Sequence, residues 1–203
     1  LYPVDRSQTG RMFTAVLSYL ERSPLMTQTI RILGIAGRLR RASFNRYALR
    51  AAGKLLPAGA TLETFELDGI PGFNQDDERT PPEPVVALKR GVGAADAILF
   101  VTPEYNRSIP GGLKNAIDWA SRPYGTNSFT RKPSGVIGTS PGKIGTAVGQ
   151  QHLRSILAFC NSPLMNSIEA YIQFTPGLIT DEGEVTDDSL SEFLRNYMAE
   201  FLG

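Results

Sequence analysis

Three short segments of this 203-residue chain carry side chains suited to gripping a ligand, and each follows an apolar run. Gly37-Arg38-Leu39-Arg40-Arg41-Ala42-Ser43-Phe44-Asn45 sets a turn, three guanidinium groups and two short polar side chains at the head of a helical pattern. Unpaired N–H groups and the positive end of the dipole at a helix N-terminus favour an anion, so the segment has the outline of a phosphate cradle. Ser43 or Asn45 either caps the helix or donates to phosphate oxygens, and Arg40 can add a charge-assisted contact. Taken alone, the segment is equally well read as a capped helix behind a solvated turn.

The second segment, residues 103 to 112, suits a flat ring. Pro103 and Pro110 stiffen the backbone, Tyr105 offers an aromatic face, Asn106 and the peptide groups offer hydrogen bonds in both directions, and Gly111-Gly112 permits close approach of backbone to ligand. The alternative is a tight strand-to-helix connection with Tyr105 packed inward. In the third segment, Thr139-Ser140-Pro141-Gly142-Lys143-Ile144-Gly145, exposed N–H groups could reach the polar edge of the same ring. A ligand with a phosphate at one end and an aromatic ring at the other describes FMN. Two other nucleotide loops are excluded: the first segment lacks the Gly-x-Gly-x-x-Gly spacing. Residues 138 to 144 are one residue short of a Walker A loop and have no Ser or Thr after Lys143.

Elements that would position these segments follow from periodicity. Apolar, β-branched runs predict strands over 30–36, 61–67, 97–102, 133–139 and 167–174. Helical spacing of apolar residues predicts helices over 44–56, 85–95, 111–120, 146–159 and 189–202. Strands alternating with helices imply a parallel sheet covered on both faces. Five strands and the loop chemistry favour the flavodoxin-like order 2-1-3-4-5 over a six-stranded dinucleotide-binding sheet, and in such sheets ligands sit at the carboxyl ends of the strands.

Composition narrows the class. An apolar fraction of 41%, a charged fraction of 20% and a net charge of +1 describe a soluble globular protein with no general attraction to nucleic acid or anionic membrane. No apolar run is long enough to span a bilayer. The lone Cys160 excludes an intramolecular disulfide and a Cys-rich metal cage, which fits a cytoplasmic protein without a metal site. Residues 1–27 are read as an N-terminal extension and 28–203 as the one domain, with Met26 a second plausible start.

Four groups of residues together resemble the NAD(P)H-dependent FMN reductases, most nearly the bacterial quinone and chromate reductases, over about residues 28 to 202. They are Gly37-x-Leu39-Arg40-x-x-Ser43-x-Asn45, Pro103-Glu104-Tyr105-Asn106, Ser108-x-Pro110-Gly111-Gly112-Leu113-Lys114-Asn115-Ala116-Ile117-Asp118-Trp119, and His152-Leu153-Arg154. The resemblance implies a flavodoxin-like fold, FMN as prosthetic group, and NADPH or NADH as electron donor. It also implies a homodimer or homotetramer and a ping-pong cycle in which a quinone, chromate, azo compound, metal oxyanion or free flavin takes the electrons. It places Arg38, Leu39, Arg40, Ser43, Phe44 and Asn45 in the first cofactor loop, with Arg40, Ser43 and Asn45 on the phosphate and ribityl end. Pro103, Glu104, Tyr105 and Asn106 would embrace the isoalloxazine, and Ser140 and Gly142 would approach its pyrimidine edge. One position departs from the family's pattern, which has Ser or Thr after the first glycine where this chain has Arg38.

Because the cofactor carries the chemistry, no catalytic side chain is expected. Tyr105 and Arg107 are the candidate substrate-binding residues, Arg107 as an attractor of anionic acceptors or of the donor's phosphates. His152 reads as a surface or subunit-contact residue, Cys160 as a small buried hydrophobe, and Trp119 as packing for its helix or a subunit contact. Two rival functions stay open on sequence alone, a flavodoxin-like electron carrier and an interaction module without flavin.

Overall fold

The computed structural model describes residues 29–37 and 43–203. Within them β1 (Ile30–Ala36), β2 (Ala60–Phe65), β3 (Ala97–Val101), β4 (Ser134–Ser140) and β5 (Ala170–Gln173) form one parallel sheet in the order β2-β1-β3-β4-β5. The helices are α1 (Phe44–Lys54), α2 (Glu83–Ala94), α3 (Gly111–Ala120), α4 (Ala147–Phe159) and α5 (Asp188–Leu202). This is the expected flavodoxin-like order.

The middle strand β3 is apolar throughout, and its neighbours β1 and β4 are mainly buried, because both faces are covered. Leu33, Ile35, Ile98, Phe100 and Val136 enter a core with Leu88 and Val92 of α2, Leu113 and Ile117 of α3, and Leu153 and Leu157 of α4. Ile32, Ala36, Leu99, Val101 and Ile137 enter the opposite core with Ala48 and Leu49 of α1 and Leu194, Tyr197 and Met198 of α5. Adjacent strand residues alternate between the two, as the pleat requires.

Element ends differ from the sequence expectation where local chemistry intervenes. α1 stops at Lys54, with the Leu55 amide bonded to the carbonyls of Ala51 and Ala52 and Pro57 just beyond. α2 starts at Glu83 because Pro82 and Pro84 occupy its cap and first turn, where a missing N–H costs nothing. β5 is shorter than the expected 167–174, since its residues pair only with Ile137–Ser140 at the end of β4.

Lysines close two helix C-termini from neighbouring segments. Lys89 donates to the carbonyl of Ala120 at the end of α3 and to those of Arg122 and Thr126 beyond it, and burial pushes its pKa down. Lys132 donates to the carbonyls of Gly93 and Ala95 at the end of α2. A cation is favoured at that pole of the dipole.

Asn115 and Trp119, from the long motif in α3, fasten the connection that follows β2. The Pro71 carbonyl accepts from Asn115 Nδ2 and from Trp119 Nε1, both at 2.8 Å, and the Phe73 amide donates to Asn115 Oδ1 at 2.7 Å. Phe73 meets Trp119 edge-on at 5.0 Å. Trp119 is 2% exposed, so it packs inward within its own chain.

Candidate functional site

The carboxyl ends of β1, β3 and β4 lie side by side, which brings residues 37 and 43–45, 103–108 and 140–145 to one edge of the sheet. Arg38, Leu39 and Arg40 lie outside the described residues. Ser43 stands at the N-cap of α1 in extended conformation, and its carbonyl accepts from the amides of Arg46 and Tyr47. Its side chain makes no cap bond. The Ser43 hydroxyl is buried, the residue being 1% exposed, and among the described residues its Oγ has no hydrogen-bond partner. A buried, unsatisfied hydroxyl costs about 1–3 kcal/mol. Placed at the positive pole of a helix, it fits an anionic ligand oxygen better than a packing role.

Asn45 has different partners. Its Nδ2 donates to the Thr139 carbonyl at 2.9 Å and its Oδ1 accepts from the Thr139 amide at 3.0 Å. The side chain, 2% exposed, therefore joins the start of α1 to the end of β4. Phe44 lies flat on Phe174, with ring centroids 3.7 Å apart and planes 13° apart. That stack fixes the head of α1 against the segment leaving β5.

After β3 the chain makes a two-residue turn. Tyr105 and Ser108 exchange amide-to-carbonyl hydrogen bonds at 2.9 Å in both directions, and Asn106 and Arg107 between them have φ of 50° and 63°. Two successive left-handed residues are the requirement of the tight primed turn, and Asn tolerates that region well. Asn106 is thus chosen for backbone shape as much as for hydrogen bonding. Tyr105 keeps 42% of its surface exposed, so its ring is presented outward and not packed inward.

This turn leans on the first turn of α4. Glu104 Oε2 accepts from the Gly149 amide at 3.0 Å, Glu104 Oε1 accepts from Arg107 Nη1 at 3.2 Å, and the Ser108 hydroxyl meets His152 Nδ1 at 3.0 Å. A Cβ on Gly149 would lie 3.0 Å from the Ser108 carbonyl oxygen, so glycine lets the turn come this close. Pro103 is buried at the root of the turn.

The third loop closes on itself. Ser140 Oγ donates to the Gly145 carbonyl at 2.6 Å and accepts from the Gly142 amide at 3.2 Å. The Gly145 amide bonds the Gly142 carbonyl at 2.9 Å. Ser140 and Gly142 shape the loop through each other, and Pro141 to Ile144 form its exposed rim. Below it Gly138 makes room for a buried polar pair: a Cβ there would lie 1.8 Å from Thr146 Oγ1 and 2.8 Å from Gln150 Nε2. Gln150 Nε2 donates to Thr146 Oγ1 and to the Ala170 carbonyl, tying α4 to β5.

Gly149, His152, Thr146 and Gln150 support the site, and sequence reasoning assigned none of them to it. The run Gln150-Gln151-His152-Leu153-Arg154 was the available sign, but its partners lie as far as 44 residues away. Cys160, at the far end of α4, is buried, and burial raises its thiol pKa, so it is a poor nucleophile. Two grooves lie away from this edge. One, of about 380 Å³, runs between β2 and α2 past Arg31 and Phe65. The other, of about 520 Å³, lies between β5 and the start of α5 past Tyr171 and Phe193. Among the described residues no helix is long and apolar enough to cross a membrane, and no group of His, Cys, Asp or Glu side chains is placed to hold a metal ion.

Comparison with known proteins points the same way as the geometry. Residues 30–176 match the family described as NADPH-dependent FMN reductase. The chain is 40% identical over 172 residues to a 2-hydroxy-1,4-benzoquinone reductase of a Burkholderia species, an alignment covering 85% of this chain and 94% of that one. It is 36% identical over 184 residues to a quinone reductase of Escherichia coli strain K12, covering 87% and 95%. Among solved structures, FerB, a flavoenzyme NAD(P)H:(acceptor) oxidoreductase from Paracoccus denitrificans, superposes with a TM-score of 0.81 at 39% identity over 85% of this chain and 95% of that one.

Proposed function

This chain belongs to the NADPH-dependent FMN reductase family and is an FMN-dependent NAD(P)H oxidoreductase, and we propose that quinones are its principal electron acceptors. Chromate, azo compounds, other metal oxyanions and free flavin are further acceptors in this reading. The observation that carries it is the buried Ser43 hydroxyl at the positive pole of α1, which has no partner among the described residues, together with a turn that presents the Tyr105 ring. When bound, FMN supplies hydride acceptance from the nicotinamide donor and onward electron transfer, chemistry no side chain here provides.

Each residue's part follows from its partners. Ser43 would donate to the phosphate end; Arg38, Leu39 and Arg40, assigned to that end by the resemblance, lie outside the described residues. Asn45 holds the head of α1 at its distance from β4, and Phe44 braces it against Phe174. Pro103, Tyr105 and Asn106 would wall the ring, while the 140–145 loop, shaped by Ser140 and Gly142, would approach its polar edge. Fixed donors at such an edge stabilise negative charge on a reduced ring without reorganising. Arg107 stands where an anionic substrate would approach.

Donor and acceptor use one space in turn, which gives parallel lines in double-reciprocal plots. Residues 28–203 make up the reductase domain, working in the cytoplasm, with 1–27 an extension. A homodimer or homotetramer is favoured by the exposed face of α4, where Gln151, His152, Ser155, Ala158 and Phe159 carry no formal charge and Phe159 is 93% exposed. Burying such a ring on a second copy would contribute about 1.5–3 kcal/mol.

An anaerobic absorption spectrum of the purified protein, titrated with NADH and then NADPH, tests the reading. Expected is a yellow protein whose visible band bleaches on donor addition and returns with benzoquinone. A yellow protein that no donor bleaches is an electron carrier, and a colourless one that FMN does not reconstitute overturns the cofactor assignment.

A further inference from the structure

We propose that Glu104 sets the charge preference of the acceptor site: anchored by the amide of Gly149, its carboxylate neutralises Arg107 and favours uncharged acceptors over anionic ones. The inference deepens the oxidoreductase reading above and rests on it.

The two partners differ in how firmly they are held. The Glu104 side chain is 10% exposed and the Arg107 side chain 67%. Glu104 Oε2 takes one of the first-turn amides of α4, a donor that has no partner within its own helix, and the positive pole there favours a carboxylate. The same carboxylate turns Oε1 outward to Arg107. Glu104 is therefore the fixed member and Arg107 the movable one.

Turn geometry does not account for an arginine at 107. With φ at 63°, the position favours glycine or asparagine, and an arginine there bears a backbone cost. What arginine adds is a guanidinium beside Tyr105, at the rim where acceptors enter. Left alone it would draw anions. Paired with a rigid carboxylate 3.2 Å away it presents a dipole with no net charge, and an incoming anion must compete with Glu104 for it. Because the pair faces solvent, its strength is about 0.2–1 kcal/mol, so the effect on substrate choice is a few-fold and falls with salt.

The test measures KM for ferricyanide, an anion, and for 1,4-benzoquinone, uncharged, at low ionic strength in the wild type, Glu104→Gln, Arg107→Ala and the double variant. Glutamine retains an oxygen for the Gly149 amide but loses the charge. The ratio of ferricyanide KM to benzoquinone KM should fall about threefold in Glu104→Gln, rise about twofold in Arg107→Ala, and show no glutamine effect once Arg107 is gone. FMN dissociation constants, from fluorescence titration of the apoprotein, should rise more in Glu104→Ala than in Glu104→Gln, because alanine also releases Gly149. An unchanged ratio in Glu104→Gln, or the same fall without Arg107, overturns the proposal. A wild type that reduces benzoquinone while the ratio stays fixed removes this inference alone. A wild type that reduces neither acceptor removes the oxidoreductase reading and this inference with it.

Discussion

The two ends of the candidate site are built differently. Around the proposed ring most polar side chains are already used, Glu104 on Gly149 and Arg107, Ser108 on His152, Ser140 on Gly142 and Gly145, although Thr139 Oγ1 is buried with no partner among the described residues. At the other end, the hydroxyl of Ser43 is buried beside a helix pole with no partner among the described residues. In the proposed reading the ring end is largely preorganised, whereas the phosphate end would gain a hydrogen bond when a ligand arrives. Flat rings are recognised by shape, which rigid loops supply, whereas an anion is recognised by donors that stay available.

This contrast is open to tests that separate stability from affinity. Asn45→Ala should have the largest effect, because it strips the Thr139 amide and carbonyl of their side-chain partners in a buried place. Urea unfolding of the apoprotein should show a loss of about 2–4 kcal/mol. Retained stability would mean that Asn45 is a ligand contact and not a strut. Ser43→Ala should do the reverse. Its side chain makes no cap bond to lose, so apoprotein stability holds or rises slightly, while the FMN dissociation constant rises about tenfold, the worth of one charge-assisted bond. Destabilisation without weaker binding would erase the difference between the two ends.

Gly149→Ala comes next. A new Cβ would lie 3.0 Å from the Ser108 carbonyl oxygen and press on the turn, an overpacking effect of about 1 kcal/mol in thermal unfolding. Its KM for benzoquinone should rise more than its FMN dissociation constant, because the displaced turn carries Tyr105. The smallest effect is expected of Arg38→Ser, which restores the hydroxyl usual in the family at the phosphate loop. Flavin content after purification should rise up to about threefold. Equal content would show that the guanidinium neither obstructs nor weakens the cradle.

Much of the fold was legible because a fully buried parallel strand and an amphipathic helix impose different periods. Ala97–Val101 is apolar at every position, and α3 repeats Leu113, Ala116, Ile117 and Ala120 on one face. The three site loops were legible for a related reason, since each had to follow a buried strand. The roles of single residues within those loops were harder. Asn45, Glu104 and Ser140 are the kinds of side chain that bind ligands, and the same chemistry lets them bind backbone. Nothing local distinguishes the two uses.

By itself the sequence determined the alternation of strands and helices, their order in the sheet, the position of the candidate loops after the strands and, through long motifs, the family. These depend on patterns within about twenty residues, where side-chain period and turn chemistry act directly. Only the tertiary structure decided which polar groups are occupied and which are left over. Gly149 lies 45 residues from Glu104, and Thr139 lies 94 from Asn45. Whether an oxygen meets an amide across such a gap depends on how two elements pack, and no local pattern encodes it. The Ser43 hydroxyl, without a partner among the described residues, and the paired guanidinium of Arg107 are both consequences of that packing.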